Sequence, residues 1–165
     1  MVLSGTPGSG KTGEALEITK MLISDAQMTV AWFSLAESCE MLAYRLLTME
    51  DGAAMYPPVA PGEEIPWSKC ERAGWRRMDD HSVLREAEIL INDTPGISVH
   101  EFAELCREYK EEYGVTAAVI DYLQLMDRGS ASGADILDEV KKAAEDLNIG
   151  ILLLQETPSL GRKSL

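Results

Sequence analysis

Glycines, a lysine and a threonine near the start of the chain have the spacing of a phosphate-binding loop. Every position of the pattern G-x-x-x-x-G-K-[ST] is filled, by Gly5, Thr6, Pro7, Gly8, Ser9, Gly10, Lys11 and Thr12. Gly8 and Gly10 can adopt backbone angles closed to other residues, so that successive N–H groups surround a phosphate. A helix beginning at Lys11 would direct its positive end to the same place. We therefore expect this loop to bind ATP, with Lys11 on the β- and γ-phosphates and the Thr12 hydroxyl on Mg²⁺.

A second candidate for this chemistry is the acid that ends the apolar run Ala-Ala-Val-Ile-Asp at residues 117–121. Such a run is typical of a buried strand, and its last residue would leave the sheet at the strand's carboxyl end. A carboxylate there can order the water ligands of Mg²⁺, which is the role we predict for Asp121. An aspartate at a strand end can also be a simple turn or cap residue.

The elements that must position these residues alternate between strands and helices. Strands are predicted at residues 1–4, 28–35, 88–93, 115–121 and 150–155, and helices at 11–24, 37–49, 98–113 and 134–147. Ser98 and Glu101 have the S-x-x-E spacing of a capping box, and Gly114 is placed to end that helix. The proline-rich stretch 51–66 is expected to be a loop or an insertion, and residues 67–88 are weakly helical in pattern. The order predicts an α/β fold with a mainly parallel sheet.

Length, hydrophobicity and charge limit the number of domains, the location and the partners that we expect. The chain has 165 residues, which fits a single domain, and 45% of them are hydrophobic. No apolar run is long enough for a membrane span and the N-terminus lacks a signal-peptide pattern, so we expect a cytoplasmic protein without membrane contact. The net charge of −13 opposes the binding of nucleic acid over most of the surface. Contact with DNA would therefore need local basic positions or several subunits.

Several segments resemble the motor domain of DnaB-type replicative helicases. The similarity is most specific in residues 92–126, which contain DTPG and IDYLQLM, and it extends to VAWFSLAESCEMLAYRLL, to the glycine-rich loop and to GILLLQE. IPWSKCERAG is loosely similar, whereas most of the proline-rich stretch has no counterpart. The resemblance implies a RecA-like ATPase core that forms a homo-oligomer, specifically a ring hexamer with ATP between subunits. Such a ring would pull single-stranded DNA through its centre.

The resemblance also implies roles for individual residues. Lys11 and Thr12 match the Walker A pair, and Asp121 matches the Walker B acid. Gln155 matches a glutamine that senses the γ-phosphate and couples it to DNA. Two loops, 127–133 and 156–164, would face the DNA, and the cations they offer are Arg128, Arg162 and Lys163.

The sequence departs from the family in two ways. The family's catalytic glutamate follows Ser-Leu directly, but Ala36 occupies that place and Glu37 comes one residue later. Phe33, Ala36 and Glu37 agree instead with the pattern of RecA itself, so Glu37 either polarises the attacking water or is an ordinary acid in the first turn of a helix. The chain also stops at Leu165, before the family's last strands and arginine finger. We therefore expect it to hydrolyse ATP slowly by itself.

Two other functions are compatible with a phosphate-binding loop. The first is a RecA-like ATP-binding module without unwinding activity, either a regulatory relative or a fragment. The second is a small-molecule kinase, for which Arg72, Arg76 and Arg77 could form the lid over the acceptor phosphate. The IDYLQLM and DTPG segments argue against the kinase.

Overall fold

The computed structural model describes residues 1–51, 63–64, 89–129 and 132–157. Within them the chain forms a sheet of parallel strands in the order β1-β5-β4-β2-β3. The strands are β1 (Val2–Gly5), β2 (Val30–Ser34), β3 (Ile89–Asn92), β4 (Ala117–Asp121) and β5 (Gly150–Glu156). The predicted parallel α/β fold is thus confirmed. Most of the predicted insertion 51–66, the segment 67–88, the arginines considered for a kinase lid, and Arg162 and Lys163 lie outside the described residues.

The helices connect these strands and agree with the sequence pattern at most of their ends. They are α1 (Lys11–Ser24), α2 (Cys39–Asp51), α3 (Val99–Tyr113) and α4 (Gly133–Leu147), and a short 3-10 helix spans Leu123–Leu125. The predicted capping box of Ser98 and Glu101 is present at α3. A second capping box, formed by Ser132 and Asp135, begins α4. No helix in these parts of the chain is long and apolar enough to cross a membrane.

Both faces of the sheet are covered, because the connecting helices lie on opposite sides of it. All five residues of β2 and all five of β4 are buried. Trp32 packs with apolar side chains of α1 and α2 on one face, and Phe33 packs with α3 and α4 on the other. A strand with helices on both sides has no polar face, which explains why the central strands read as continuous apolar runs.

The parallel arrangement brings the carboxyl ends of the strands to one edge of the sheet. In the register of the sheet, Ser34 is opposite Asp121, and Gly5 is opposite Glu156. The glycine-rich loop between β1 and α1 begins at this same edge. Ligands of open α/β sheets bind at the carboxyl ends of the strands. The fold therefore gathers the candidate residues where such a site is expected.

Candidate nucleotide-binding site

The glycine-rich loop has the backbone conformation that its sequence predicts. Gly8 and Gly10 both have positive φ angles, of 74° and 88°. Gly10 immediately precedes α1, and the N–H of Glu14 donates to its carbonyl at 3.0 Å, so the helix starts directly after the loop. A side chain at either glycine would be strained in this backbone region. The loop therefore presents its backbone and the positive end of α1 to the same space.

Lys11 is buried at the start of α1 and its ammonium group lies within the loop. Its Nζ donates hydrogen bonds to the carbonyl oxygens of Gly5, at 3.1 Å, and Thr6, at 2.9 Å. The same nitrogen is 3.6 Å from Oε1 of Glu156, at the end of β5. Two carbonyls of the glycine-rich loop thus position the Lys11 ammonium group, and Glu156 from another strand faces it.

Thr12 and Asp121 meet between the loop and the end of β4. The Asp121 carboxylate accepts a hydrogen bond from the Thr12 side chain, and Asp121 is only 3% exposed. Burial raises the pKa of Asp121, and the nearby Glu37 carboxylate raises it further, against the opposing effects of the Thr12 hydrogen bond, Lys11 and Arg45. Hydroxyl and carboxylate oxygens are the ligands that Mg²⁺ prefers, and a cation would offset the cost of a buried charge. These residues fit a magnesium ion.

Replacing Asp121 with asparagine is expected to have opposite effects on folding and on metal-dependent binding. Because folding raises the pKa of Asp121 above its usual value of about 3.8, ionisation of this carboxyl group destabilises the folded state. The free energy of unfolding therefore falls as the pH rises from about 3.8 past the raised pKa, and it stays lower at higher pH. Asparagine carries no charge, so Asp121→Asn should raise the thermal midpoint of the nucleotide-free chain at pH 7. It should also weaken ATP binding about tenfold in Mg²⁺ but not in EDTA.

Circular dichroism at pH 7 and calorimetric titrations with and without Mg²⁺ measure these two effects. Equal weakening of ATP binding in both buffers would assign Asp121 a purely structural role.

Glu37 lies in the connection between β2 and α2, and three contacts hold this connection in place. Ser34 Oγ donates to the Glu37 carbonyl at 2.7 Å, and Arg45 Nη2 donates to Glu37 Oε1 at 2.7 Å. Two residues later, the N–H of Cys39 donates to the Asp93 carboxylate at 2.8 Å. Within the described part of the chain, Glu37 Oε2 is buried without a hydrogen-bond partner. One carboxylate oxygen is thus anchored by Arg45, and the other has no donor among the described residues.

The start of α2 differs from the prediction. The pattern placed residue 37 inside the helix, but α2 begins at Cys39, after Ser38, whose carbonyl accepts the first helical hydrogen bond from Leu42. Ser38 and Asp93 supply the acceptors for the first N–H groups of the helix, so it starts two residues later. The interpretation of Glu37 as a first-turn helix acid is therefore wrong.

Gln155 lines an open groove beside the loop, with a volume of about 780 Å³. Pro7 of the glycine-rich loop, Gln124 after β4 and Arg128 line the same groove. Gln155, the predicted γ-phosphate sensor, and Arg128, a predicted DNA contact, thus line a groove that borders the glycine-rich loop. The roles of Gln155 and Arg128 themselves stay predictions.

Three residues of this region were not identified by the sequence patterns. Arg45 binds Glu37, Glu156 faces Lys11, and Gln124 exchanges two hydrogen bonds with the backbone of Glu156. Arg45 lies eight positions after Glu37 and Gln124 lies 32 positions before Glu156. No local spacing rule connects such pairs. Glu156 alone carried a signal, since it directly follows Gln155 at a predicted strand end.

A parallel sheet whose first strand leads into a complete glycine-rich loop, with a buried acid beside its threonine, defines a P-loop nucleotide-binding protein. The chain belongs to the family of DnaB-like helicase C-terminal domains, whose model matches residues 1–159. The resemblance expected from the sequence is thus confirmed, as is the RecA-like class of the fold.

Replicative DNA helicases are among the proteins similar to this chain. The chain is 31% identical to the replicative DNA helicase DnaC of Bacillus subtilis, over 94% of this chain and 35% of that protein. It is 30% identical to the replicative DNA helicase DnaB of a Nostoc species, over 94% of this chain and 18% of that protein. The chain therefore spans about a third or less of the length of these relatives.

Solved structures show the same fold. One is a DnaB-like replicative helicase that was studied with its primase interactions, with a TM-score of 0.71 and 23% identity over 94% of this chain and 38% of that one. Another is a KaiC-like protein of Pyrococcus horikoshii, with a TM-score of 0.58 and 17% identity over 95% of this chain and 60% of that one.

Proposed function

We propose that the chain binds Mg²⁺ and ATP, hydrolyses the nucleotide slowly, and forms the motor core of a replicative DNA helicase that acts on single-stranded DNA. The observation that carries the proposal is the contact of the Thr12 side chain with the buried Asp121 carboxylate, next to Lys11. This arrangement suits a phosphate chain with its metal, because a cation and two oxygen ligands converge at one edge of the sheet. Membership in the DnaB-like family supports the choice of ATPase and helicase.

In the proposed reaction each residue of the site has a separate task. The loop N–H groups and Lys11 hold the phosphates, while Thr12 and Asp121 hold the metal with its water ligands. Mg²⁺, when bound, neutralises charge that develops on the phosphoryl group. Glu37 accepts a proton from the attacking water through its free oxygen, and Gln155 senses the γ-phosphate from the end of β5.

The proposed partners are single-stranded DNA and further copies of the chain. With a net charge of −13, one chain offers DNA little attraction, so a homo-oligomer, such as a ring hexamer, would have to pool its basic positions. The relatives named as replicative DNA helicases support this proposal. The cytoplasmic location stays a prediction.

The decisive test measures phosphate release from ATP with and without single-stranded DNA. Stimulation by DNA is expected for the motor core, while ATP binding without stimulation would favour a regulatory, non-unwinding module. Phosphate that appears on an added small molecule rather than in solution would indicate a kinase. Sizing with an ATP analogue and Mg²⁺ should show a larger assembly than without them.

Contacts with DNA are expected to involve phosphates and not bases. Arg128 is exposed after β4, and its Nη2 lies 3.5 Å from the Gln124 carbonyl. Changing Arg128, Arg162 and Lys163 together to alanine should weaken binding to all single strands alike. The slope of log affinity against log salt should fall by about 0.7 for each lost contact. Fluorescence anisotropy with poly-dT and mixed-sequence oligonucleotides at several salt concentrations measures both effects, and a loss confined to one sequence would contradict the prediction.

A further inference from the structure

The acid opposite Lys11 comes from a different strand and competes for the same ammonium group that phosphates need. Glu156 Oε1 is 3.6 Å from Lys11 Nζ, and the two side chains are 29% and 9% exposed. Lys11 offers three N–H donors, of which two are directed to the Gly5 and Thr6 carbonyls. A bound phosphate would therefore have to share or displace the contact with Glu156.

The backbone of Glu156 is held in this position from two sides. Gln124 Nε2 donates to the Glu156 carbonyl at 2.7 Å, and the Glu156 N–H donates to Gln124 Oε1 at 3.2 Å. The N–H of the next residue, Thr157, donates to the Gly5 carbonyl at 3.0 Å. The strand end is thus anchored both to the segment after β4 and to the start of the loop, so the backbone that carries the Glu156 carboxylate is held beside Lys11.

A carboxylate at this place opposes the binding of negative charge. It partly neutralises Lys11, and it repels phosphate oxygens that approach the same ammonium. Both effects should be larger for a nucleoside triphosphate than for a diphosphate, since Lys11 is expected to reach the γ-phosphate as well as the β-phosphate.

We propose that Glu156 is a specificity-determining residue, which competes with the γ-phosphate for Lys11 and so reduces the preference of the site for ATP over ADP. The proposal rests on the proposed function, because it assumes that the loop binds adenine nucleotides. Gln124 acts through Glu156 by holding its backbone.

The variant Glu156→Gln tests the proposal with little change in shape, since the contacts of Gln124 are with the backbone of residue 156. Calorimetric titration with ATP and with ADP, both in Mg²⁺, should show about three- to tenfold tighter binding of ATP and a smaller gain for ADP. Glu17→Gln is the matched control, because Glu17 is exposed on α1 and its removal changes the net charge equally. The control should leave both affinities unchanged.

The same titrations distinguish a failure of the role of Glu156 from a failure of the proposed function. Unchanged or weaker ATP binding by a folded Glu156→Gln chain, or an equal gain for both nucleotides, would overturn the role of Glu156 while leaving the nucleotide site intact. Failure of the unaltered chain to bind either nucleotide would overturn the proposed function itself. Thermal unfolding of Glu156→Gln establishes that it is folded, and Glu156→Ala offers a second uncharged variant that should show the same shift in the ATP-to-ADP ratio.

Discussion

Replacing Lys11 with alanine is expected to weaken ATP binding by about 10- to 150-fold, the effect of losing one charge-assisted hydrogen bond of about 1.5–3 kcal/mol. Lys11 is buried, and its ammonium is directed into the loop by the Gly5 and Thr6 carbonyls. Within the eight-residue loop it is the only cationic side chain, so no neighbour in the loop can take its place. Calorimetric titration with ATP and Mg²⁺ measures the change.

The matched control for this prediction is Lys20→Ala, which removes an identical charge near the other end of α1. The control should bind ATP as the unaltered chain does. Equal affinities of Lys11→Ala and the unaltered chain would refute the assignment of the loop as the phosphate site.

Changing Glu37 to glutamine is expected to lower the rate of ATP hydrolysis by about 10²–10⁴-fold, the usual contribution of a general base, with little effect on ATP affinity. Glutamine preserves the shape of the side chain and can still accept the hydrogen bond from Arg45, but it cannot take a proton from water. Single-turnover assays with radiolabelled ATP measure the rate of the chemical step directly. A lower rate of hydrolysis with unchanged ATP affinity would indicate a catalytic role, whereas a loss of both would indicate a structural one.

Glu40→Gln is the control for Glu37, because Glu40 is an exposed acid three residues further along. Hydrolysis should be unaffected in that variant. If Glu37→Gln hydrolysed ATP as fast as the control, another group would have to activate the water. The position of Glu37, one residue after the family's glutamate, would then explain why its carboxylate does not act as the base.

Residues that lie close in sequence or share a regular period could be predicted without the structure. The Walker A spacing, the capping box of Ser98 and Glu101, and the apolar run ending in Asp121 are all local patterns, and the loop geometry, the α3 cap and β4 agree with them. The start of α2 could not be predicted, because the acceptor for the Cys39 N–H is Asp93, 54 positions away.

The parallel α/β class, the glycine-rich loop and the membership in the DnaB-like family could all be predicted from the sequence, because periodicity and contiguous motifs are encoded along the chain. Which charged side chains meet depends on contacts between elements that are distant in the sequence. Lys11 faces Glu156 because β1 and β5 are neighbours in the sheet, and Glu37 pairs with Arg45 because the connection between β2 and α2 brings the two side chains together. The order of the strands results from the packing of whole elements against one another, and no local pattern of residues records it.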